Sequence, residues 1–117
     1  MMRVYVAGPY SADNVMQVLE NMRAGIRAST EVLLAGFAPF CPWLDYQYKF
    51  AVQGAEELTI NDFYQYSLSW LRVSEAMLIL DGWQKSKGTL HEIEVAKELG
   101  IPIFESLSEL KRAYGKV

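Results

Sequence analysis

Glu92 is the residue in this sequence whose type and position most need a chemical explanation. A helical pattern begins after Gly88 and ends at Gly100. At about 100° per residue, its apolar positions share one arc, and Glu92 falls near the middle of that arc. These apolar positions are Ile93, Val95, Ala96 and Leu99. A buried carboxylate is costly without a partner, so Glu92 is either a first-turn acid that complements the helix dipole or a functional group that faces a ligand.

Small and polar residues immediately before this helix could form the ligand site. Residues 76–80 form an apolar strand pattern, residues 81–88 a loop, and residues 101–104 a second apolar run. Strand, loop, helix and strand in about thirty residues is the size of a βαβ unit, and ligands gather at the carboxyl ends of its strands. The loop could therefore cradle a phosphate or a sugar beside Glu92. The residues suited to that role are Ser86, Gly88 and Thr89.

The loop after the first predicted strand offers a second candidate anion site. Residues 1–8 form a β-branched and aromatic strand pattern that ends in a small-residue turn. The turn consists of Gly8, Pro9, Tyr10 and Ser11. Such a turn leading into a helix N-terminus can bind an anion, although one glycine carries little specificity by itself.

An aromatic segment follows the second predicted strand. Residues 43–50 combine four aromatic side chains with Asp45 and Gln47. The aromatic rings could stack on a base, or they could pack against the rest of the domain. Residues 44–54 have no clean period, so we expect a loop or a short helix near the pocket.

The order of the predicted elements sets the fold class. Strands at residues 1–8, 37–43, 76–80 and 101–104 alternate with helices. The first strand is expected at the centre of the sheet, and the second, which prolines interrupt, at its edge. The pattern predicts a single domain over residues 1–117 with an α/β, three-layer flavodoxin/Rossmann-like fold and a mainly parallel sheet of four to five strands.

Polar residues mark the predicted starts of the two long helices. Ser11 or Asp13 is expected to cap the first helix. Thr59 and Asp62, three residues apart, form a capping-box pattern at the start of the second helix. That capping role is sufficient to explain Asp62.

Composition and charge argue against several classes of function. The chain has 117 residues and a net charge of -3, with no Lys/Arg cluster that could follow a phosphate backbone, so nucleic acid is not an expected partner. A single cysteine, Cys41, and a single histidine, His91, argue against a zinc site or a Ser-His-Asp triad, and no metal or other cofactor is expected. No signal peptide or membrane span of about 18 apolar residues is recognisable, so the cytoplasm is the expected location and no membrane partner is expected.

Four blocks of the sequence resemble the nucleoside 2-deoxyribosyltransferase superfamily, in particular its small members from phages and bacteria. The blocks read VYVAGPYS (residues 4–11), PFCPWLDYQYK (39–49), SLSWLRVSEAMLIL (67–80) and DGWQKSKGTLHEIEVAKELGIPI (81–103). The last block is similar to the family's succession of a strand end, Ser-x-Gly and a glutamate on the following helix. All four blocks occur in order with short connections, which makes the resemblance specific.

The resemblance implies that Glu92 is a nucleophile. It would attack C1′ of a nucleoside or nucleotide, displace the base and leave a glycosyl ester, which water or a second base then resolves. The helix N-terminus would help to keep this carboxylate charged. Tyr5 matches a family tyrosine that hydrogen-bonds the nucleophile, and the alternative for Tyr5 is a core aromatic. The base would contact the second block, which contains Asp45 and Gln47.

The residue six positions before Glu92 bears on the substrate. Similar nucleoside transferases tend to have Asp there, whereas relatives that hydrolyse nucleoside 5′-monophosphates resemble this chain in having Ser86, which binds phosphate. The resemblance therefore implies a 5′-monophosphate as the substrate. Its donors would be Ser86, Gly88 and Ser11, with Lys85 or Lys87 supplying the charge of a Gly-rich, Arg-containing loop that this chain lacks.

Ser67 departs from the family pattern. The family commonly has an acidic residue there, which orients the sugar or the leaving base. Losing such a group can reduce the rate by orders of magnitude, so Asp62, Asp81 or Asp45 would have to replace it. Asp81 is the best candidate because it lies at a strand end, and its alternative is a turn residue before Gly82.

Other functions and partners follow from the same residues. A non-catalytic nucleotide-binding module with the same pocket is the main alternative, because Ser67 replaces an acid. GTLHE (residues 88–92) also fits the cytokinin-activating phosphoribohydrolases, but the Pro-Gly-Gly that precedes it there is missing. A flavodoxin-like electron carrier is disfavoured because no flavin phosphate loop is recognisable. The resemblance further implies a homodimer or larger homo-oligomer, with contacts expected at Tyr64, Tyr66 and Trp70.

Overall fold

The computed structural model describes residues 1–115, in which four strands alternate with α-helices and two 3₁₀ helices. The last two residues of the domain expected over residues 1–117 lie outside this range. The strands are β1 (Arg3–Ala7), β2 (Ala38–Phe40), β3 (Ala76–Ile79) and β4 (Ile103–Phe104). The α-helices are α1 (Val15–Leu34), α2 (Ile60–Leu71), α3 (Lys87–Glu98) and α4 (Leu107–Tyr114), and the 3₁₀ helices span Pro42–Phe50 and Trp83–Lys85.

The four strands form one parallel sheet in the order β2-β1-β3-β4. The predicted α/β fold with a parallel sheet is therefore confirmed, as are the central position of β1 and the edge position of β2. Tyr5 pairs with Phe40 on one side and with Met77 on the other. The β2 strand is shorter than predicted, because the chain turns into a 3₁₀ helix at Pro42.

Alternating residues of the central strands fill two separate cores. One core lies on the side of the sheet covered by α1 and α4, and the other on the side covered by α2 and α3. The first contains Val4, Val6, Val32, Phe37, Trp43, Ala76, Leu78 and Leu110. The second contains Tyr5, Ala7, Leu68, Leu71, Met77, Ile79, Ile93 and Ala96. This period-two alternation in strands buried on both faces produces the three layers.

Two local predictions for the helices are wrong. Helix α1 is capped by Asn14, whose side chain accepts a hydrogen bond from Gln17 N at 2.8 Å, and neither Ser11 nor Asp13 has this role. Leu99, predicted on the buried arc of α3, is the C-cap of this helix and is 48% exposed.

The predicted capping box of α2 is confirmed. Asp62 Oδ2 accepts from Thr59 N at 2.8 Å, and Thr59 Oγ1 accepts from Asp62 N at 3.1 Å. Each side chain therefore satisfies a backbone donor that the first helical turn leaves open.

None of the helices within residues 1–115 is both long enough and apolar enough to cross a membrane.

Candidate active site

Glu92 and Tyr5 meet between the sheet and helix α3. Tyr5 lies on β1 and is completely buried, and Glu92 lies in the second turn of α3 and is partly buried. The Tyr5 hydroxyl donates a hydrogen bond to Glu92 Oε2. The explanation of Glu92 as a first-turn acid is therefore wrong, since its carboxylate is partnered by a tyrosine from the central strand.

Burial dominates the electrostatics of this pair. Desolvation raises the pKa of Glu92 to about 7, although the hydrogen bond from Tyr5 lowers it. Burial, followed by the charge of Glu92, raises the pKa of Tyr5 well above its usual value. Among the described residues, the ion pairs leave Glu92 without a lysine or arginine partner. Desolvation is the larger of the two effects, so Glu92 is harder to ionise than an exposed glutamate, and the contribution of the helix N-terminus stays a prediction.

Helix α2 contributes two more polar side chains to this place. Ser67 is buried, and hydrogen bonding with its hydroxyl lowers the pKa of Tyr5, opposing the effect of burial. Burial, then the charges of Glu92 and Glu94, raise the pKa of Tyr64. No sequence pattern indicated that Tyr64 would lie near Glu92. Its ring contacts the His91 ring edge-on at 5.2 Å between centroids, so the contact follows from the packing of α2 against α3.

Asp81 and Asp62 are exposed and form no described hydrogen bond with Tyr5 or Glu92. Asp62 is exposed and occupied by its cap. Asp81 is exposed in the turn after β3, where Gly82 has a φ of 86°, and the described hydrogen bonds do not connect it to Tyr5 or Glu92. This placement matches the turn alternative for Asp81.

Two glycines let the loops after β1 and β3 approach each other. A Cβ on Gly82 would lie 3.1 Å from Pro9 Cγ, and a Cβ on Gly8 would lie 3.0 Å from Leu80 Cβ. A side chain at either position would force its neighbour to shift by a few tenths of an ångström, and at Gly82 it would also strain a backbone with a φ of 86°. The first loop and the turn at Asp81 therefore adjoin at the carboxyl edge of the sheet.

The residues predicted to cradle a phosphate begin helix α3. Ser86 is its N-cap, and Ser86 Oγ accepts from Thr89 N at 3.3 Å and from Thr89 Oγ1 at 2.8 Å. Thr89 is buried, so its two hydrogen bonds hold Ser86 from the protein side. A Cβ on Gly88 would meet no atom within 4 Å, so space is open in front of this helix start. Lys85 and Lys87 are exposed on either side of Ser86.

The loop after β1 is fixed by polar contacts. Tyr10 Oη donates to Asp45 Oδ1 at 2.8 Å, and Trp43 Nε1 donates to Pro9 O at 3.0 Å. Burial raises the pKa of Asp45, whereas the hydrogen bond from Tyr10 and the charge of Lys49 lower it. Tyr10 and Asp45 were each predicted from the sequence to bind substrate. The sequence could not show that these two residues, 35 positions apart, form a hydrogen bond with each other.

Ser11 and Gln47, which were also predicted to bind substrate, are exposed. Neither forms a side-chain hydrogen bond with another described residue. No described hydrogen bond joins either residue to Glu92.

An open groove of about 590 Å³ follows the edge of the sheet at β2. Phe40, Asp45 and Tyr66 are among its lining residues. Phe40 also stacks on Tyr5, with ring centroids 5.3 Å apart, so a single ring lies between the groove and the tyrosine that holds Glu92. The sequence did not single out Phe40, since its register opposite Tyr5 depends on the pairing of β1 with β2.

Among residues 1–115, no three His, Cys, Asp or Glu side chains come together as a metal site would require.

Comparisons with known proteins identify the fold more closely than the activity. Residues 2–105 match the family described as "Domain of unknown function (DUF4406)". No curated protein matches the chain. The solved structure of a 2-deoxyribosyltransferase from the psychrotolerant bacterium Bacillus psychrosaccharolyticus is similar, with a TM-score of 0.59 and 16% identity over 86% of this chain and 69% of that one. The resemblance to the 2-deoxyribosyltransferases is thereby confirmed as a likeness of fold.

Proposed function

Because the chain belongs to the DUF4406 family, which is described only as a domain of unknown function, we propose its function from the site. We propose that it cleaves the N-glycosidic bond of a (deoxy)nucleoside or its 5′-monophosphate through a covalent glycosyl–Glu92 intermediate. Glu92, assisted by Tyr5, is the proposed catalytic residue. The similar fold of a 2-deoxyribosyltransferase supports a nucleoside-processing class of enzyme.

The hydrogen bond between buried Tyr5 and partly buried Glu92 is the observation that carries this proposal. A buried acid of pKa about 7 is costly for the fold, and such perturbed groups cluster at functional sites. The Tyr5 hydroxyl fixes one carboxylate oxygen, so the other can be aimed at a substrate carbon. This arrangement suits a nucleophile better than a structural acid, which burial would select against.

The proposed reaction has two balanced steps. In the first, an ionised Glu92 oxygen forms a bond to C1′, the bond from C1′ to the base nitrogen breaks, and the nitrogen keeps the electron pair and takes up a proton from water. In the second, water adds to C1′, Glu92 leaves as a carboxylate and a proton returns to solvent. If a second base adds instead of water, the same intermediate gives transfer.

The start of α3 is the proposed site for a 5′-phosphate. Ser86 would donate its hydroxyl proton while its oxygen still caps the helix, and the open space at Gly88 would admit the phosphate oxygens. Thr89 would act through Ser86, which it supports with a hydrogen bond of 2.8 Å. Lys85 and Lys87 are placed to add positive charge from the surface.

Release of free base from deoxynucleoside 5′-monophosphates, followed by chromatography, tests the proposal. The wild type is expected to release base, and Glu92→Gln is expected to release none above background. Glu56→Gln, a carboxyl-to-amide change far along the chain, serves as the control and should keep full activity. Base release that survives in Glu92→Gln would remove Glu92 from the reaction.

A non-catalytic nucleotide-binding module is the second candidate, and Ser67 favours it. Ser67 stands beside Tyr5 where the resembling enzymes commonly carry an acid, and the possible replacements Asp62 and Asp81 are exposed. Asp45 remains the nearest candidate acid, because its charge raises the pKa of Tyr5. Binding of a nucleotide without any release of base would favour the module.

We further propose a homodimer or larger assembly, which the resemblance implied. Trp70 is 47% exposed on α2 and is available for such a contact. Tyr64 and Tyr66, expected on the exposed surface, are partly buried instead, because Tyr64 packs on His91 and Tyr66 on Phe40. Analytical ultracentrifugation at micromolar concentration should give more than one subunit, and a monomer would contradict this part of the proposal.

A further inference from the structure

Asp45 presents one carboxylate oxygen that no described residue uses. Its Oδ1 accepts the hydrogen bond from Tyr10 at 2.8 Å, whereas Oδ2 accepts none from residues 1–115. Every fully enclosed side-chain nitrogen or oxygen among these residues has a partner. Oδ2 is therefore not enclosed, and the surface that it can face is the groove that Asp45 lines.

No described cation forms an ion pair with this carboxylate. Lys49 is near enough to lower the pKa of Asp45, but it forms no ion pair with it. The Lys49 ammonium instead lies over the Tyr46 ring, 5.4 Å from the centroid, and 5.5 Å from that of Phe63. Asp45 is 8% exposed, so further hydrogen-bond donors would offset the desolvation cost of its charged carboxylate.

The groove around Asp45 has the size and walls of a site for a flat ring. Its volume of about 590 Å³ lies within the range of about 300–1,000 Å³ that is usual for ligand pockets. Phe40, Tyr48 and Tyr66 supply aromatic surface on which a base can stack. Phe40 stacks on Tyr5, and the Asp45 charge raises the pKa of Tyr5, so a base stacked on Phe40 would be separated from Tyr5 by one ring.

We infer that Asp45, held by Tyr10, selects a guanine-type base, meaning one that presents a ring N–H beside an exocyclic amino group. This inference rests on the proposed function, since it takes the bound molecule to be a nucleoside or nucleotide. Asp45 is thereby a specificity-determining residue, distinct from the cleavage chemistry at Glu92.

The donor pattern of the bases supports this choice. An ionised carboxylate has acceptors only, and it binds best to two parallel donors. Guanine offers N1–H and the 2-amino group side by side. Adenine and cytosine place a ring nitrogen acceptor beside their amino group, and thymine flanks its single N–H with two carbonyl oxygens. Each of these three would bring a lone pair against the carboxylate.

Deoxyguanosine and deoxyinosine 5′-monophosphates form the matched pair for the test, because inosine lacks only the 2-amino donor. The wild type is expected to release base from the guanine nucleotide with a kcat/KM about 10- to 100-fold higher than from the hypoxanthine one. Asp45→Asn keeps the size of the side chain but replaces an acceptor by a donor, so this preference should disappear. Asp13→Asn, an exposed charge change, is the control and should retain the preference.

Binding to the Glu92→Gln variant separates this inference from the proposed function. Tighter calorimetric binding of the guanine nucleotide, lost in the Glu92→Gln/Asp45→Asn double variant, supports the role of Asp45 even if the wild type releases no base. Base release with equal efficiency for both nucleotides, or a preference for adenine, overturns the role of Asp45 and leaves the proposed cleavage intact. If Asp45→Asn fails to fold by circular dichroism, the wild-type ratio of the two nucleotides decides alone.

Discussion

Two tyrosine–carboxylate pairs involve strand β1 and the loop that follows it, and they differ in surroundings. Tyr5 and Glu92 join the central strand β1 to helix α3 within the core between the sheet and α2/α3. Tyr10 and Asp45 join two connecting segments beside an open groove. In both pairs a phenol donates to the carboxylate, and in both the pKa of the acid is raised by burial.

The difference between the pairs lies in what opposes burial. Glu92 has only the hydrogen bond from Tyr5 to lower its pKa, which is raised to about 7. Asp45 has both the hydrogen bond from Tyr10 and the charge of Lys49. A carboxyl that titrates near neutral pH suits a group that reacts, whereas a carboxylate stabilised by a nearby cation suits a group that recognises donors.

The largest expected effect is the loss of base release when Glu92 is replaced, compared with the change in base preference when Asp45 is replaced. Glu92→Gln should lower kcat for base release by at least about 10³-fold, because it removes the proposed nucleophile, while binding of the nucleotide is retained. Asp45→Asn should lower kcat far less than Glu92→Gln does, and it should change which base is released. Single-turnover kinetics with calorimetry on both variants measures this, and equal losses of binding and turnover in the two variants would erase the distinction between the pairs.

Glu92 should also make the stability of the protein depend on pH. Glu92 has an unfolded pKa of 4.5 and a folded pKa of about 7, so the unfolded state loses its proton first. The free energy of unfolding should therefore fall as pH rises from 4.5 through 7, by about 3 kcal/mol at most. Glu92→Gln should remove this fall and be more stable than the wild type at pH 8.

Urea unfolding of wild type and Glu92→Gln at pH 5 and pH 8 measures that change. Taking the difference between the two proteins cancels the other groups whose pKa values shift, such as Asp62 and Glu75. A constant difference between the proteins across this range would show that Glu92 titrates normally.

The two tyrosines give the third comparison. Tyr5→Phe removes the hydrogen bond that lowers the Glu92 pKa, so the ascending limb of kcat/KM, expected near pH 7 in the wild type, should move to higher pH. The rate at neutral pH should fall about 10- to 100-fold. Tyr10→Phe should leave the position of that limb unchanged. A shift of the limb in both variants, or in neither, would contradict the assignment.

The smallest effect is expected outside both pairs. Thr59→Ala removes the capping box of α2 and should cost about 1 kcal/mol of stability. The pH limb and the base preference should both stay as in the wild type. Thermal unfolding together with the base-release assay checks this, and an altered base preference would mean that helix α2 influences Asp45.

Strong local patterns made much of the fold predictable. The continuous apolar runs of β1 and β3, the capping box at Thr59 and the turn at Gly82 each arise from a few neighbouring residues. The end of α3 was less predictable, because periodicity placed Leu99 on the buried arc although the helix ends one residue earlier. The start of α1 was missed because Ser11, Asp13 and Asn14 have similar capping propensities, and tertiary position chose among them.

The site was predictable only in part. Glu92 was identifiable because an acid on an apolar helical arc needs a reason, and the resemblance added Tyr5. The joining of Tyr10 to Asp45 depends on how two loops meet in space, which no local pattern records. The raised pKa of Glu92 was not predictable, since desolvation depends on how the surrounding elements pack around this side chain.

Intact-protein mass spectrometry after exposure to a slow 2′-fluoro-2′-deoxynucleotide tests the central proposal most directly. An electron-withdrawing fluorine at C2′ slows both steps and lets the glycosyl ester accumulate. The wild type should gain the mass of the fluorinated sugar phosphate, on a peptide that contains Glu92, and Glu92→Ala should gain none. An adduct that persists in Glu92→Ala would contradict a nucleophilic role for this residue.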